Sequence, residues 1–267
     1  MRTCPKHSEN LNELFLIKYP RLKFSNLVVN NQIVEQLGQI ILEHRHLSQL
    51  KAYGLNPKRK ILLAGPPGTG KTLTASILAG ELSLPLFQVR MENIITKYMG
   101  ESSQKLSQVF KVMNEIKAVY FFDEFDTLGS QRSSKNDVGE ARRVLNSFLQ
   151  MIEQDSSHNL IICATNHIEI LDYALFRRFD DVIYYQLPTD NERISIFKNK
   201  LSLYVDKTFP WKDLVGVTKG FNNSDIVKIA EDAIKDMILK KESLITFAML
   251  EKPIKYRSLI NKQFSNL

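Results

Sequence analysis

Apolar residues fall along this chain in short, mostly apolar runs separated by longer amphipathic stretches. Residues 61–64, 84–90, 118–122, 160–164 and 182–185 are the runs, and 118–122 in particular (Ala118, Val119, Tyr120, Phe121, Phe122) reads as a strand buried on both faces of a parallel sheet. Between them, helical spacing predicts helices over 33–50, 73–82, 103–116 and 138–153 and a short one over 172–179; Asn30 or Asn31 caps the first. Residues 1–10 read as disordered, 11–17 as a short helix ending before Pro20, 24–29 as extended, and 129–136 as a polar loop. From Thr189 onward the pattern is helical, broken at Gly216 and Gly220, with 225–239 the clearest period. Strands alternating with helices predict a doubly wound α/β layer structure with a parallel sheet, followed by a smaller all-helical domain. The expected organisation is a short N-terminal extension over 1–22, an α/β domain over 23–188 and a helical domain over 189–267.

Composition narrows this little. The 267 residues are 43% hydrophobic, enough for a proper core. No apolar run approaches the roughly 20 residues that span a bilayer, and residues 1–7 lack the apolar core of a signal peptide, so a cytoplasmic location is expected and a membrane partner is not. Two cysteines, Cys4 and Cys163, make neither a disulfide framework nor a metal site. The net charge of +7 would suit nucleic acid, but the basic residues are interleaved with acidic ones rather than gathered, which reads as solvated surface.

The chemistry concentrates after three of the apolar runs. Gly65-Pro66-Pro67-Gly68-Thr69-Gly70-Lys71-Thr72 follows the run 61–64 and precedes the helix that begins with Leu73. Strand, glycine-rich turn and helix are the context of a P-loop: residues 67–73 wrap the phosphates, with the backbone N–H groups of 68–73 pointing at phosphate oxygens, Lys71 neutralises the β- and γ-phosphates, and the Thr72 hydroxyl serves Mg²⁺. The run 118–122 ends in Asp123-Glu124, where Asp123 can hold Mg²⁺ through water and Glu124 can polarise the water that attacks the γ-phosphate. Asn166 closes the run 160–164 in the same fashion, with an amide suited to the γ-phosphate or that water.

From about Phe24 to Leu239 the chain resembles the AAA family of ATPases, most closely its short single-ring bacterial members and, in one turn, the katanin, spastin and ESCRT-disassembly branch. Gly65 to Thr72 look like the family's Walker A, Tyr120 to Glu124 its Walker B, and Ala164-Thr165-Asn166 its sensor 1. Leu171-Asp172-Tyr173-Ala174-Leu175-Phe176-Arg177-Arg178-Phe179-Asp180 is similar to the stretch that carries the family's arginine finger. It lacks the proline-glycine insertion before the second arginine, so either Arg178 or Arg177 would be the finger. The resemblance implies ATP and Mg²⁺ as ligands, a homo-oligomeric ring, hexameric by analogy, and an arginine acting on the neighbour's γ-phosphate, worth on the order of 10³ or more in rate. It implies a lid from Thr189 to about Lys241 whose rotation moves Tyr98 along the pore. Leu27, Val28 and Ile196 would sandwich the adenine, with Ser224 near the nucleotide. Gly220-Phe221-Asn222-Asn223-Ser224-Asp225-Ile226 stands where relatives have Gly-Phe-Ser-Gly-Ala-Asp-Leu. It also implies that Lys97, Tyr98 and Met99 face a central pore that grips polypeptide. With no His-Glu-x-x-His, proteolysis would belong to a separate protease or adaptor-linked partner. The residues after Lys241 read as a lid helix or an adaptor contact. Two other classes stay open: a nucleic-acid remodeller such as a helicase loader, and a slow nucleotide-dependent switch.

Overall fold

The computed structural model describes residues 8–95, 100–129, 137–168 and 173–264. Lys97, Tyr98 and Met99, and residues 130–136 of the expected polar loop, lie outside the described residues. The chain divides into two compact units. The first comprises the described residues up to Leu27, Asn31–Gly65 and Lys71–Tyr185; the second comprises Val28–Asn30, Pro66–Gly70 and the chain from Gln186.

In the first unit, α1 (Ser8–Leu14) runs into β1 (Phe15–Lys18), then come α2 (Asn31–Arg45), α3 (Leu47–Ala52), β2 (Lys60–Ala64), α4 (Lys71–Glu81), β3 (Leu86–Val89) and α5 (Met91–Ile94). There follow α6 (Glu101–Glu115), β4 (Val119–Phe122), α7 (Asp137–Gln154), β5 (Leu160–Thr165), α8 (Tyr173–Phe176) and β6 (Asp181–Tyr184). The six strands form one sheet in the order β1-β3-β4-β5-β2-β6. β3, β4, β5, β2 and β6 are parallel; β1 lies antiparallel on β3, with Phe15 opposite Val89 and Lys18 opposite Leu86. Successive side chains of a strand point to opposite faces, so Tyr120 and Phe122 of β4 and Ile161 and Cys163 of β5 enter one core with α6 and α7. There Phe122 stacks edge-on to Phe148, with ring centroids 5.0 Å apart. Phe121, Ile162 and Leu63 are equally buried on the other face, where α4 packs. Burial on both faces is why these strands read as continuous apolar runs.

Four local expectations differ from the structure. Of the expected disordered stretch 1–10, residues 1–7 lie outside the described residues and Ser8–Asn10 open α1, a helix anchored in the core by Leu11 and Leu14. Residues 11–17 are the end of a helix and then a strand: the spacing of Leu11, Leu14, Phe15 and Ile17 serves either period, and the outer edge of β3 supplies backbone partners that draw 15–18 into the sheet. Phe24–Asn26 is a 3₁₀ turn rather than extended chain, closed by the Asn26 side chain, which accepts the Lys23 N–H at 2.9 Å. The helix expected over 33–50 is two, parted at His46, whose ring donates to the Leu42 carbonyl at 2.9 Å. Gly80 in α4 is required by the chain returning from β1: a Cβ there would stand 2.4 Å from the Leu22 carbonyl oxygen.

In the second unit, α9 (Asp190–Leu201), α10 (Leu214–Val217), α11 (Asn223–Leu239) and α12 (Phe247–Phe264) enclose their own core around Phe197, Ile226, Ile229, Ala230 and Leu250. Thr189 and Glu192 cap α9 reciprocally. The buried Arg193 guanidinium is met by Thr218, Asp190 and the carbonyls of Pro188 and Val215, at 2.8 to 3.2 Å. The segment after Lys241 is α12, whose Ile254 joins this core.

Candidate functional site

Three adjacent strands, β4, β5 and β2, end at the same edge of the parallel sheet. Open α/β sheets present ligand groups at that carboxyl edge. The residues that follow these strands are the phosphate turn, Asp123 with Glu124, and Asn166.

The turn after β2 is shaped by glycine. Gly65, Gly68 and Gly70 have φ of 140°, 75° and 106°, values that side chains rarely tolerate. Gly65 is required twice over, because a Cβ would come within 2.2 Å of the Tyr185 carbonyl oxygen. Pro67 is exposed in the turn and Leu73 half-buried just beyond it, while the Thr69 hydroxyl donates to the Pro66 carbonyl at 2.8 Å. Lys71 opens α4 with only 6% of its surface exposed, and its ammonium donates to the Gly65 carbonyl at 2.7 Å. Burial lowers its pKa, against the pull of Asp123, Asp126 and Glu124. The ammonium is thus folded onto its own turn, where phosphate oxygens are stronger acceptors than a carbonyl.

Beyond β4, the Thr72 hydroxyl donates to Asp123 Oδ2 at 3.0 Å. Burial pushes the Asp123 carboxyl above its ordinary range, opposed by the Thr72 bond and the Lys71 charge. For both Lys71 and Asp123 desolvation outweighs mutual attraction, an environment that an added cation and a polyphosphate would relieve. A hydroxyl and a carboxylate oxygen converging at one point are the hard donors Mg²⁺ takes when phosphate and water complete its shell, so these residues fit that ion. Glu124 is exposed and sits at φ 50°, the left-handed region. Such a conformation costs a non-glycine residue about 1–2 kcal/mol and directs this carboxylate off the strand end. Asn166 donates to Glu124 Oε1 at 3.4 Å. A 380 Å³ cavity opens beside them, lined in part by Gln88, Met91, Glu92 and Thr127. Asp126, two residues on, is buried, and its Oδ1 has no hydrogen-bond partner among the described residues.

The structure therefore brings Lys71, Thr72, Asp123, Glu124 and Asn166 together in the first unit. In the second unit it gathers another set. Val28 packs against the cluster that holds Ile196, and the Ser224 N–H donates to the Gly68 carbonyl at 3.0 Å. Leu27, buried, belongs to the first unit. Arg178 forms an ion pair with Glu153 of its own chain, and Arg177 beside it is exposed. Sequence reading missed Asn222, whose side chain stands where a Cβ on Gly68 would fall, and Asn223, which donates to the Val28 carbonyl at 3.1 Å. Their departure from the Ser-Gly of similar sequences was the only available signal.

The profile of the ATPase family associated with various cellular activities (AAA) matches residues 61–187. The chain is 33% identical over 226 residues to the AAA family ATPase y4kL of Sinorhizobium fredii, covering 85% of this chain and 68% of that protein. It is 30% identical over 254 residues to vacuolar protein sorting-associated protein 4 of Dictyostelium discoideum, covering 93% of this chain and 57% of that one. It is 33% identical over 212 residues to the proteasome-activating nucleotidase of Archaeoglobus fulgidus, covering 75% and 52%. At the level of the family, ATP turnover drives the remodelling of proteins, and members typically act as rings. Among the described residues no helix is long and apolar enough to cross a membrane. With a P-loop, paired acidic residues and a polar sensor on adjacent strand ends, and with the profile and the y4kL match behind them, this chain belongs to the AAA family of ATPases, which use ATP with Mg²⁺.

Proposed function

We propose that the chain is a Mg²⁺-dependent ATP hydrolase that works as a homo-oligomeric ring, hexameric by resemblance, and threads polypeptide through its central pore. The observation that carries the hydrolytic part is the placement of Glu124: an exposed carboxylate held at φ 50°, hydrogen-bonded by Asn166 and one residue from the Thr72–Asp123 pair. On this reading the turn over 67–73, through the backbone N–H groups of 68–73, and Lys71 bind the phosphates. The Thr72 hydroxyl, and Asp123 through water, would hold Mg²⁺, which would supply charge neutralisation at the phosphates. Glu124 takes the proton of the water whose oxygen bonds to the γ-phosphorus as the bond to the β-phosphate oxygen breaks. Asn166 orients that water by its amide. Leu27, Val28 and Ile196 flank the base, with Ser224 beside the phosphate turn. Arg178 or Arg177 of a neighbouring subunit stabilises the charge that develops at the γ-phosphate; for Arg178 this means exchanging Glu153 for phosphate on ring assembly.

The reading that polypeptide is the cargo draws on relatives whose names place them in protein sorting and proteasome activation. It draws equally on Lys97, Tyr98 and Met99, an aromatic and a flexible thioether that suit an unfolded chain of any sequence. No block of lysine or arginine accompanies that turn, which disfavours nucleic acid as cargo. Glu124→Gln keeps size and removes the base. Steady-state ATP turnover is expected to fall about 10²–10⁴-fold with nucleotide binding retained. Turnover within threefold of the wild type would remove Glu124 from the mechanism.

A further inference from the structure

The start of α11 bonds to both the phosphate turn and the Val28 peptide, which the proposed site sets beside the phosphates and the base. Asn222 caps the helix, its Oδ1 accepting the Asp225 N–H at 2.8 Å. Asn223, next in the chain, donates from Nδ2 to the Val28 carbonyl at 3.1 Å. Ser224, next again, donates its N–H to the Gly68 carbonyl at 3.0 Å. Consecutive residues thus hold the phosphate turn at one end and the Val28 peptide at the other, all inside the second unit. A backbone carbonyl has two acceptor sites. Asn223 takes one and fixes the plane of the peptide, leaving the other in a set direction beside the apolar cluster that Val28 joins.

We infer that Asn223 is a positioning residue that sets base specificity: by pinning the Val28 carbonyl it presents a fixed acceptor to an exocyclic 6-amino group and so selects a 6-aminopurine nucleotide. This rests on the reading that Val28 flanks the base. A 6-oxo purine would set its own acceptor against the Val28 carbonyl, leaving two half-buried acceptors without a donor, and a site built for a hydrogen bond rejects the analogue that cannot make it. Without Asn223 the peptide can turn and the penalty on the 6-oxo purine falls.

The test is steady-state turnover of ATP, GTP and purine riboside triphosphate, which lacks the 6-amino group, by the full chain, the Asn223→Ala variant and the Asn223→Asp variant. Aspartate keeps the shape of asparagine but replaces the donor with an acceptor. The wild type is expected to favour ATP over both analogues by about tenfold or more in kcat/KM. In both variants the ATP:GTP ratio falls about tenfold, with the loss in ATP falling on KM more than on kcat, and thermal unfolding shows whether each is folded. A general packing defect would lower ATP and GTP turnover together and leave the ratio unmoved. An ATP:GTP ratio within twofold of wild type in a folded variant overturns the proposal, as does a wild type that turns over purine riboside triphosphate as well as ATP. The analogue comparison needs no variant to fold. A wild type with no ATP turnover at all overturns the underlying reading of the site, and this inference with it.

Discussion

Glu124 sits in a conformation that its own side chain disfavours, and two neighbours, Lys71 and Asp123, whose charged forms burial disfavours, show the same tension between stability and use. At φ 50° a glycine would relax the backbone at the cost of its own chain entropy. Glu124→Gly is therefore expected to stabilise the fold by roughly 0.5–1 kcal/mol, read as a higher denaturation midpoint, while abolishing ATP turnover. Both Lys71 and Asp123 are held by burial on the neutral side of their ordinary ranges, so both gain when a polyphosphate and its cation arrive. A separate group, His44, reports on the fold rather than the site. Burial is the largest influence on it and lowers its pKa below the usual 6.5; Lys117 and Arg59 add to that, while its bond to the Lys58 carbonyl at 2.9 Å and Glu43 oppose it. The unfolded chain then binds the proton more readily than the folded one. The stability this confers is complete above about pH 6.5 and is lost as pH falls through the lower folded value. The melting temperature of the wild type should drop between pH 7 and 5 more steeply than that of His44→Gln, and equal slopes would exclude His44 as the cause.

At the scale of elements, what could be read from the chain was what local physics dictates. β2, β4 and β5 show themselves because burial on both faces forbids polar residues, and the phosphate turn because Gly65, Gly68 and Gly70 must take positive φ. Glu124 and Asn166 could be placed as soon as those strands were placed, since each is the polar residue at a strand's carboxyl end. β1 was not legible, because its conformation comes from pairing with β3 some seventy residues away rather than from its own pattern. Nor was the tie between Asn223 and Val28, which joins residues 195 apart through one amide. The Arg178–Glu153 pair is of the same kind: a half-buried arginine's partner depends on which helix the fold sets beside it. The pattern of a long helix over 33–50 concealed the break at His46, since apolar spacing continues through it.

In the proposed ring, each site is shared by two chains and its output is felt at a pore. If Tyr98 grips the cargo, Tyr98→Ala should retain ATP turnover within about threefold and lose unfolding of a tagged test protein. Unfolding at the wild-type rate would remove Tyr98 from the cargo path. The shared site can be tested more directly by complementation. Lys71→Ala removes the phosphate-binding half and leaves the arginines; the double variant Arg177→Ala, Arg178→Ala removes the finger and leaves the P-loop. Each alone should be inactive. Co-expressed and purified as mixed assemblies carrying both chains, they place intact arginines of one against the intact P-loop of the other, and ATP turnover should return to a sizeable fraction of wild type. Mixed assemblies that contain both chains and stay as inactive as either parent would contradict a site built across the subunit boundary.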